Sequence, residues 1–354
     1  MAVLDLLPRR YYIYNNKQSK TEAYMYDLRP FISEVKFLID RHFLGEPGKY
    51  SQFLRQTPAG TRNLSATPYG CSIAANILYT INSMPSDINE RAAMIRVLQG
   101  FQNAENGLFE NPGNFATHTT AFVSGALNLL DAAPLYRAKG LEAYLSREGL
   151  FEFMDKIDWN KEPWLGAHLG AGIYGSMLLT GTASDEWEDY YFEWLDENSD
   201  PATGLWKKGA LSGAPRFHYL AGTFHYVFNY EYARRALPYP KELLNTCIEA
   251  YRNKDCIDFA TQLGWADIDF TYLLARVQRR AGIRLDETQA ILTEIADGLI
   301  KQLLASDISE ISAFEDTNTL FAIVSALAVL QDALPGYIRT SRPLRLVLDR
   351  RPFI

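Results

Sequence analysis

The amino-acid sequence predicts an all-α protein, an (α/α)6 toroid of six helical hairpins around one central cavity. Three observations carry this expectation: an internal period of about 50 residues, apolar helical segments that alternate with amphipathic ones, and a scarcity of strand signals throughout. A period of that size marks arrays in which each unit buries its apolar face against the next.

Six apolar segments, rich in Ala, Gly, Leu and Ile, begin near Thr67, Thr117, Trp164, Pro215, Trp265 and Phe314. They are apolar nearly all round, as helices buried on both sides must be. Their helical starts are expected near residues 67, 117, 165, 216, 266 and 315. Between them lie Glu22–His42, Ile88–Gln102, Leu141–Ile157, Glu186–Asn198, Lys241–Arg252 and Asp286–Leu304, each with one polar face and a 3.6-residue periodicity. These read as an outer, solvent-facing layer. Ser86-Asp87, Ser184-Asp185 and Pro240 mark three of their starts. Six outer–inner pairs can close into a ring; an open superhelix would need capping repeats, which the sequence does not show. The whole chain, 1–354, reads as one domain. Residues 1–21 form an arm with the run Tyr11-Tyr12-Ile13-Tyr14-Asn15-Asn16, residues 22–334 the hairpins, and residues 335–354 an Arg-, Leu- and Pro-containing arm packed over the toroid.

Composition narrows the function classes. Apolar residues make up 47% and charged residues 22%, as in a globular protein with a large core. The formal net charge is −7 without a Lys/Arg block, which excludes a nucleic-acid footprint. The longest apolar runs, such as Leu320 to Leu330, are too short to span a bilayer, so no integral membrane segment is expected. The first ten residues lack an export signal. Cys71, Cys247 and Cys256 are odd in number and widely spaced, matching neither a disulfide framework nor a zinc pattern. The reading is a reduced, cytoplasmic protein without metal or cofactor that takes a small-molecule substrate. Oligomeric state is left open.

Tyr69, His118, His168, His218, Ile268 and Thr317 follow one another at steps of about 50 residues, each in the first turns of its inner helix. In a ring of hairpins such positions share one depth and circle one mouth. Two outer-to-inner connections share a further pattern, Phe101-Gln102-Asn103-Ala104-Glu105-Asn106-Gly107-Leu108-Phe109 and Trp194-Leu195-Asp196-Glu197-Asn198-Ser199-Asp200-Pro201-Ala202-Thr203-Gly204-Leu205-Trp206. Each ends a helix in Asn/Asp, turns on a Gly suited to positive φ and then buries an aromatic; Trp159 holds the aromatic place in the repeat between.

This pattern resembles the repeat of the squalene–hopene cyclase and prenyltransferase superfamily, in which a Gln-Asn-x-x-x-Gly-x-Phe/Trp segment joins the helices of an α/α toroid. The resemblance covers the six-hairpin organisation from about Glu22 to Leu334 and rests on Gln102, Gly107 and Phe109, with Gly204 and Trp206 more loosely. Sugar epimerases and several glycosidases built as α/α toroids have similar Gly-aromatic turns. Fold does not fix function.

Trp265-Ala266-Asp267-Ile268-Asp269-Phe270-Thr271 resembles the Asp-x-Asp-Asp-Thr acid motif of class II terpene cyclases, with Asp267, Asp269 and Thr271 in place and Phe270 where the family has its third acid. The resemblance implies that Asp269 protonates an alkene or epoxide. A carboxyl does this only when held neutral in an apolar cavity. Tyr69, Phe217, Tyr219, Trp265 and Tyr272 would offer aromatic faces to a cation. Asp267 also fits a helix N-cap, and two residues apart the two acids cannot face the same way.

Glu315 and Asp316 open the next inner helix, and Asp316 also suits a cap. Neighbouring helices pack at about 8–10 Å. Asp269 and Glu315 or Asp316 would then flank one bond with a water between, the geometry of an inverting glycosidase. His118, His168 and His218 hold equivalent positions and offer an acid–base pair across a substrate, as in sugar epimerases; His225, two turns deeper, would line the wall. A zinc shared by all three does not fit, because alternate helices lie beyond the span of its ligands. Arg216 is either an anion anchor or an ion-pair partner of a rim carboxylate such as Asp267. The acidic run Asp185-Glu186-Trp187-Glu188-Asp189 opens an outer helix and reads as first-turn charge.

Overall fold

The computed structural model describes residues 26–255, 263–305, 307–308 and 311–354. The expected N-terminal arm, the expected helix start at Glu22 and Cys256 lie outside them. The all-α class is observed: twelve α-helices carry the described residues. They are α1 (Arg29–His42), α2 (Pro68–Thr80), α3 (Ile88–Gly100), α4 (Ala116–Leu129), α5 (Arg147–Asp155) and α6 (Pro163–Leu179). The second half holds α7 (Asp185–Asn198), α8 (Arg216–Ala233), α9 (Pro240–Arg252), α10 (Trp265–Ala281), α11 (Leu285–Leu304) and α12 (Thr317–Ala333).

The even-numbered helices are the apolar segments, buried along most of their length. α2 packs on α4, α4 on α6, α6 on α8, α8 on α10, α10 on α12, and α12 again on α2. The odd-numbered helices bury one face: in α9 the buried positions are Leu243, Leu244, Thr246, Cys247, Ile248 and Ala250. Helix starts follow local chemistry. Thr67 accepts the Gly70 N–H, Asp87 those of Asn89 and Glu90, and Ser184 that of Trp187. Asp185, Glu186 and Glu188 are first-turn charges on α7, as their position suggested.

Two outer helices differ from expectation. α1 begins at Arg29, with Pro30 in its first turn, because Tyr26–Asp27 is a short strand (β1) paired in parallel with Ile338–Arg339 (β2). The expected Leu141–Ile157 helix is split: a 3-10 turn, Lys139–Tyr144, precedes α5, which restarts where the Ser146 hydroxyl accepts the Gly149 N–H. The C-terminal arm runs along the surface to about residue 345 and then turns inward. Val347, Arg351, Phe353 and Ile354 are buried among the even-numbered helices.

The two matching connections fold alike. Gly107 (φ 74°) and Gly204 (φ 71°) turn the chain, their N–H groups donating to Asn103 and Asp200 carbonyls at 2.8 and 2.7 Å. Gln102 ties its turn to the loop after α4. Its amide donates to the Gly107 and Tyr136 carbonyls at 2.8 Å each and accepts from the Leu135 and Tyr136 N–H groups at 2.7 and 3.0 Å. Phe109 and Trp206 are buried behind the turns.

Candidate active site

All six even-numbered helices contribute to one cavity of about 240 Å³. Its lining is Gln52, Tyr69, Asn114, His118, Trp164, His168, His225, Trp265, Asp269, Asn318 and Ile354. Most of these sit in the first turn or two of their helices, where the sequence placed the mouth.

Tyr69, His118 and His168 meet as their spacing predicted: the Tyr69 and His118 rings are 5.7 Å apart, those of His118 and His168 4.6 Å. His218 does not join them. It packs on Trp164 at 6.0 Å, and His225 takes its place, 5.1 Å from His168. The contacting histidines are the third residue of α4, the sixth of α6 and the tenth of α8. The contact line therefore descends about one turn per helix, as packed helices that cross at an angle require. A constant sequence step cannot express that descent. His225 Nδ1 lies 2.8 Å from the Ala221 carbonyl, which makes that nitrogen the donor and leaves Nε2 as the acceptor. Burial lowers the pKa of His168 to about 4 and those of His118 and His225 well below the usual imidazole value, so all three are neutral bases at pH 7.

Asp269 is 1% exposed, and neither carboxylate oxygen has a hydrogen-bond partner of full geometry. Burial raises its pKa well above the carboxylate range; the nearby Trp164 indole opposes that rise and the Asp267 charge adds to it. Asp267 is structural. It accepts the Gly264 N–H at 2.8 Å at the start of α10, as a third-position acid and not the N-cap itself, and burial lifts its pKa to about 7.

Several expected site residues lie elsewhere. Glu315 pairs outward with Arg55 at 3.3 Å, and Asp316 caps α12 while accepting from Gln52 at 3.1 Å. Neither lines the cavity, so the two-carboxylate arrangement is not assembled. Arg216 pairs with Glu249 at 3.4 Å, not with Asp267, and anchors nothing in the cavity. Phe217 packs edge-on against Trp164, and the Tyr219 hydroxyl donates to the Asn160 carbonyl at 3.2 Å. Tyr272 is buried against Phe224 and Arg276, well along α10 from the mouth. Gln52, Asn114, Trp164, Asn318 and Ile354 were not singled out. Only Trp164 carried a signal, four residues before His168 on one helical face. Among the described residues no group of three His, Cys, Asp or Glu is arranged to hold a metal ion, and no helix is long and apolar enough to cross a membrane.

Two predictions arise from the histidines and acids. His225→Ala opens a void beside His168 and is expected to disrupt ligand binding in the cavity; His218→Ala leaves it within about threefold, because His218 sits outside the lining. Titration calorimetry with a cavity ligand checks both, and equal effects would count against the assignment.

The second concerns stability against pH. Asp267 and Asp269 keep protons that the unfolded chain releases above about pH 4, so they cost stability as pH rises from there toward 7 and beyond. Asp316 and Asp349, raised more modestly by burial, act in the same sense at the low end. His42, His118, His168 and His225 refuse protons that the unfolded chain takes up below about pH 6.5, so they cost stability as pH falls toward 4. The histidines outnumber the strongly raised acids where the windows overlap. Melting temperature is therefore expected to peak near pH 6.5. A monotonic rise from pH 4.5 to 8.5 would contradict the burial of the acids.

No protein-family model matches the chain, and neither curated proteins nor solved structures give a match.

Proposed function

We propose that the six even-numbered helices form a closed (α/α)6 toroid and that its cavity is an acid–base active site for a compact sugar of monosaccharide size. The observation that carries this reading is a buried Asp269, with the Trp164 indole beside it but no ion pair or backbone hydrogen bond, sharing one small cavity with three neutral imidazoles. Groups whose surroundings push their pKa values apart are the mark of an acid and a base set for opposite roles. Asp269 holds a proton to give, and His168 has a lone pair to receive one.

The rest of the lining fits a sugar. Tyr69, Trp164 and Trp265 offer flat faces to ring C–H groups, and the side-chain amides of Gln52, Asn114 and Asn318 offer donors and acceptors to hydroxyls. A cavity of about 240 Å³ is small beside the roughly 300–1,000 Å³ of sites for larger ligands. The reaction that suits these groups is epimerisation or isomerisation beside a carbonyl. His168 takes the C–H proton while Asp269 protonates the carbonyl oxygen, giving an enediol; the proton held by His168, given back to carbon directly or through the touching His118 or His225 ring, yields the product as Asp269 recovers its proton from an enediol hydroxyl. Hydrolysis by two carboxylates lacks its second acid here.

A protonation-initiated isoprenoid cyclase is the second reading, favoured by the neutral Asp269 and the aromatic walls. Against it stand the small volume and three imidazole lone pairs that would capture a carbocation. The test is to incubate the protein in D2O with free monosaccharides and N-acylated amino sugars, and separately with linear prenyl diphosphates and squalene. Deuterium at a carbon-bound position of one sugar supports the first reading. Cyclic prenyl products would replace it with the second. Neither product, with no ligand-induced rise in melting temperature, would leave a non-catalytic toroid.

A further inference from the structure

The end of the helix cycle opposite the cavity is entered by the chain itself. The Asn82 amide donates to the Pro343 carbonyl at 2.7 Å, and the Arg345 N–H to the Thr80 carbonyl at 2.9 Å, both where α2 finishes. Arg350 pairs with Asp131 just after α4, and Asp349 with Arg276 on α10 at 2.8 Å. From there the segment runs inward. Arg351, with no exposed surface, donates to the Phe122 carbonyl at 3.2 Å, and Asn229 donates to the Pro352 carbonyl at 2.7 Å. Phe353 stands edge-on beneath His118 at 5.1 Å and against Phe228 at 5.7 Å. Ile354 reaches the cavity wall.

The inner helices are shaped for this occupant. A Cβ on Gly125 of α4 would lie 2.4 Å from Arg351 Nη1, and one on Gly175 of α6 would lie 2.9 Å from Ala121 Cβ on α4 and 3.2 Å from Phe353 Cβ. Gly125, which weakens its helix by about 1 kcal/mol relative to alanine, thus makes room for this segment, and Gly175 lets α4, α6 and Phe353 meet closely. The segment is also held by hydrogen bonds deep in the interior, where an unmade bond is expensive.

We infer that residues 345–354 are the floor of the cavity and that Ile354 is the side chain that sets the largest molecule it admits. This rests on the reading of the cavity as a substrate site, and it explains why that site is of monosaccharide size: the interior below the histidines is already filled. Phe353 supports the His118 ring from beneath, while Ile354 limits depth without being placed in acid–base work.

The test uses phenol, 4-ethylphenol and 4-butylphenol as probes, with the hydroxyl suited to the polar upper lining and the alkyl chain to the floor. Titration calorimetry on the full chain is expected to find that affinity falls with alkyl length in the wild type. Ile354→Ala should raise 4-butylphenol affinity about tenfold or more and change phenol by less than about threefold, since each methylene excluded from a pocket weighs about that much. Ile354→Val should move the same way by less, which keeps the test informative should the alanine variant fold poorly. An identical length profile in wild type and both variants, or no phenol binding at all, would overturn the floor. Probe binding needs no turnover. Failure of every sugar to exchange deuterium would sink the catalytic reading alone, and an unchanged probe profile beside active sugar turnover would sink the floor alone.

Discussion

Gly107→Ala is expected to destabilise the fold by about 4 kcal/mol or more, among the largest effects a single substitution produces. Two causes add. The residue sits at φ 74°, where a Cβ costs roughly 1–2 kcal/mol by itself. That Cβ would also lie 1.8 Å from the Arg137 carbonyl oxygen and 2.7 Å from its carbon, backbone atoms that cannot swing aside. Relief would require the turn after α3 and the loop after α4 to separate, breaking the three hydrogen bonds through which Gln102 joins them. Gly113 is the control. Its φ is 88°, but a Cβ there meets nothing within 4 Å, so Gly113→Ala should show the backbone cost alone. Urea denaturation of the two variants separates the causes. Equal losses would mean that the close approach of the two loops is not what the glycine serves.

The same turn shows what was legible in the sequence. Gln102, Gly107 and Phe109 were readable because each meets a local demand: a side chain with both donor and acceptor, a positive φ, and a ring to bury. The inner helices were readable for a similar reason. Starts expected near residues 67, 117, 165, 216, 266 and 315 fall at 68, 116, 163, 216, 265 and 317. Local capping and apolar content decide where a helix begins. They do not decide how far its neighbour is tilted, and so His218 was placed in the mouth and His225 only on the wall. The carboxylates divide on the same principle. Asp267 and Asp316 are first-turn or cap residues with local backbone partners, and Glu315 pairs outward with Arg55, while Asp269 is distinguished by having no such partner, which only the packed structure reveals. The tail was the least legible part. Nothing in Arg350-Arg351-Pro352-Phe353-Ile354 suggests an interior position, since two adjacent arginines ordinarily stay in water. The complementary signal was present elsewhere, in Gly125, the single glycine of α4, where a Cβ would meet Arg351.

Asp269→Asn is expected to reduce turnover of the cavity's substrate by about 10²–10⁴-fold, the usual contribution of a positioned acid. Asparagine keeps the shape and can still donate a hydrogen bond, but it cannot give up a proton, so binding should change far less than rate. The fold should tolerate it, because the native carboxyl is neutral and no ion pair is lost. Asp267→Asn is the matched control: an amide oxygen can still accept the Gly264 N–H, and activity should stay within about threefold. The pH–rate profile follows from the same two groups. In the proposed reaction His168 acts as a base only when neutral, so activity is expected to be lost as pH falls toward its pKa of about 4. Asp269 would act as the acid only when protonated, so activity is expected to decline as pH rises through its elevated pKa. In the asparagine variant the alkaline limb should vanish from whatever rate remains, while the acid limb persists. Full activity in Asp269→Asn, or a rate that climbs with pH as an ionised carboxylate would dictate, would remove Asp269 from the chemistry and leave its burial without a catalytic purpose.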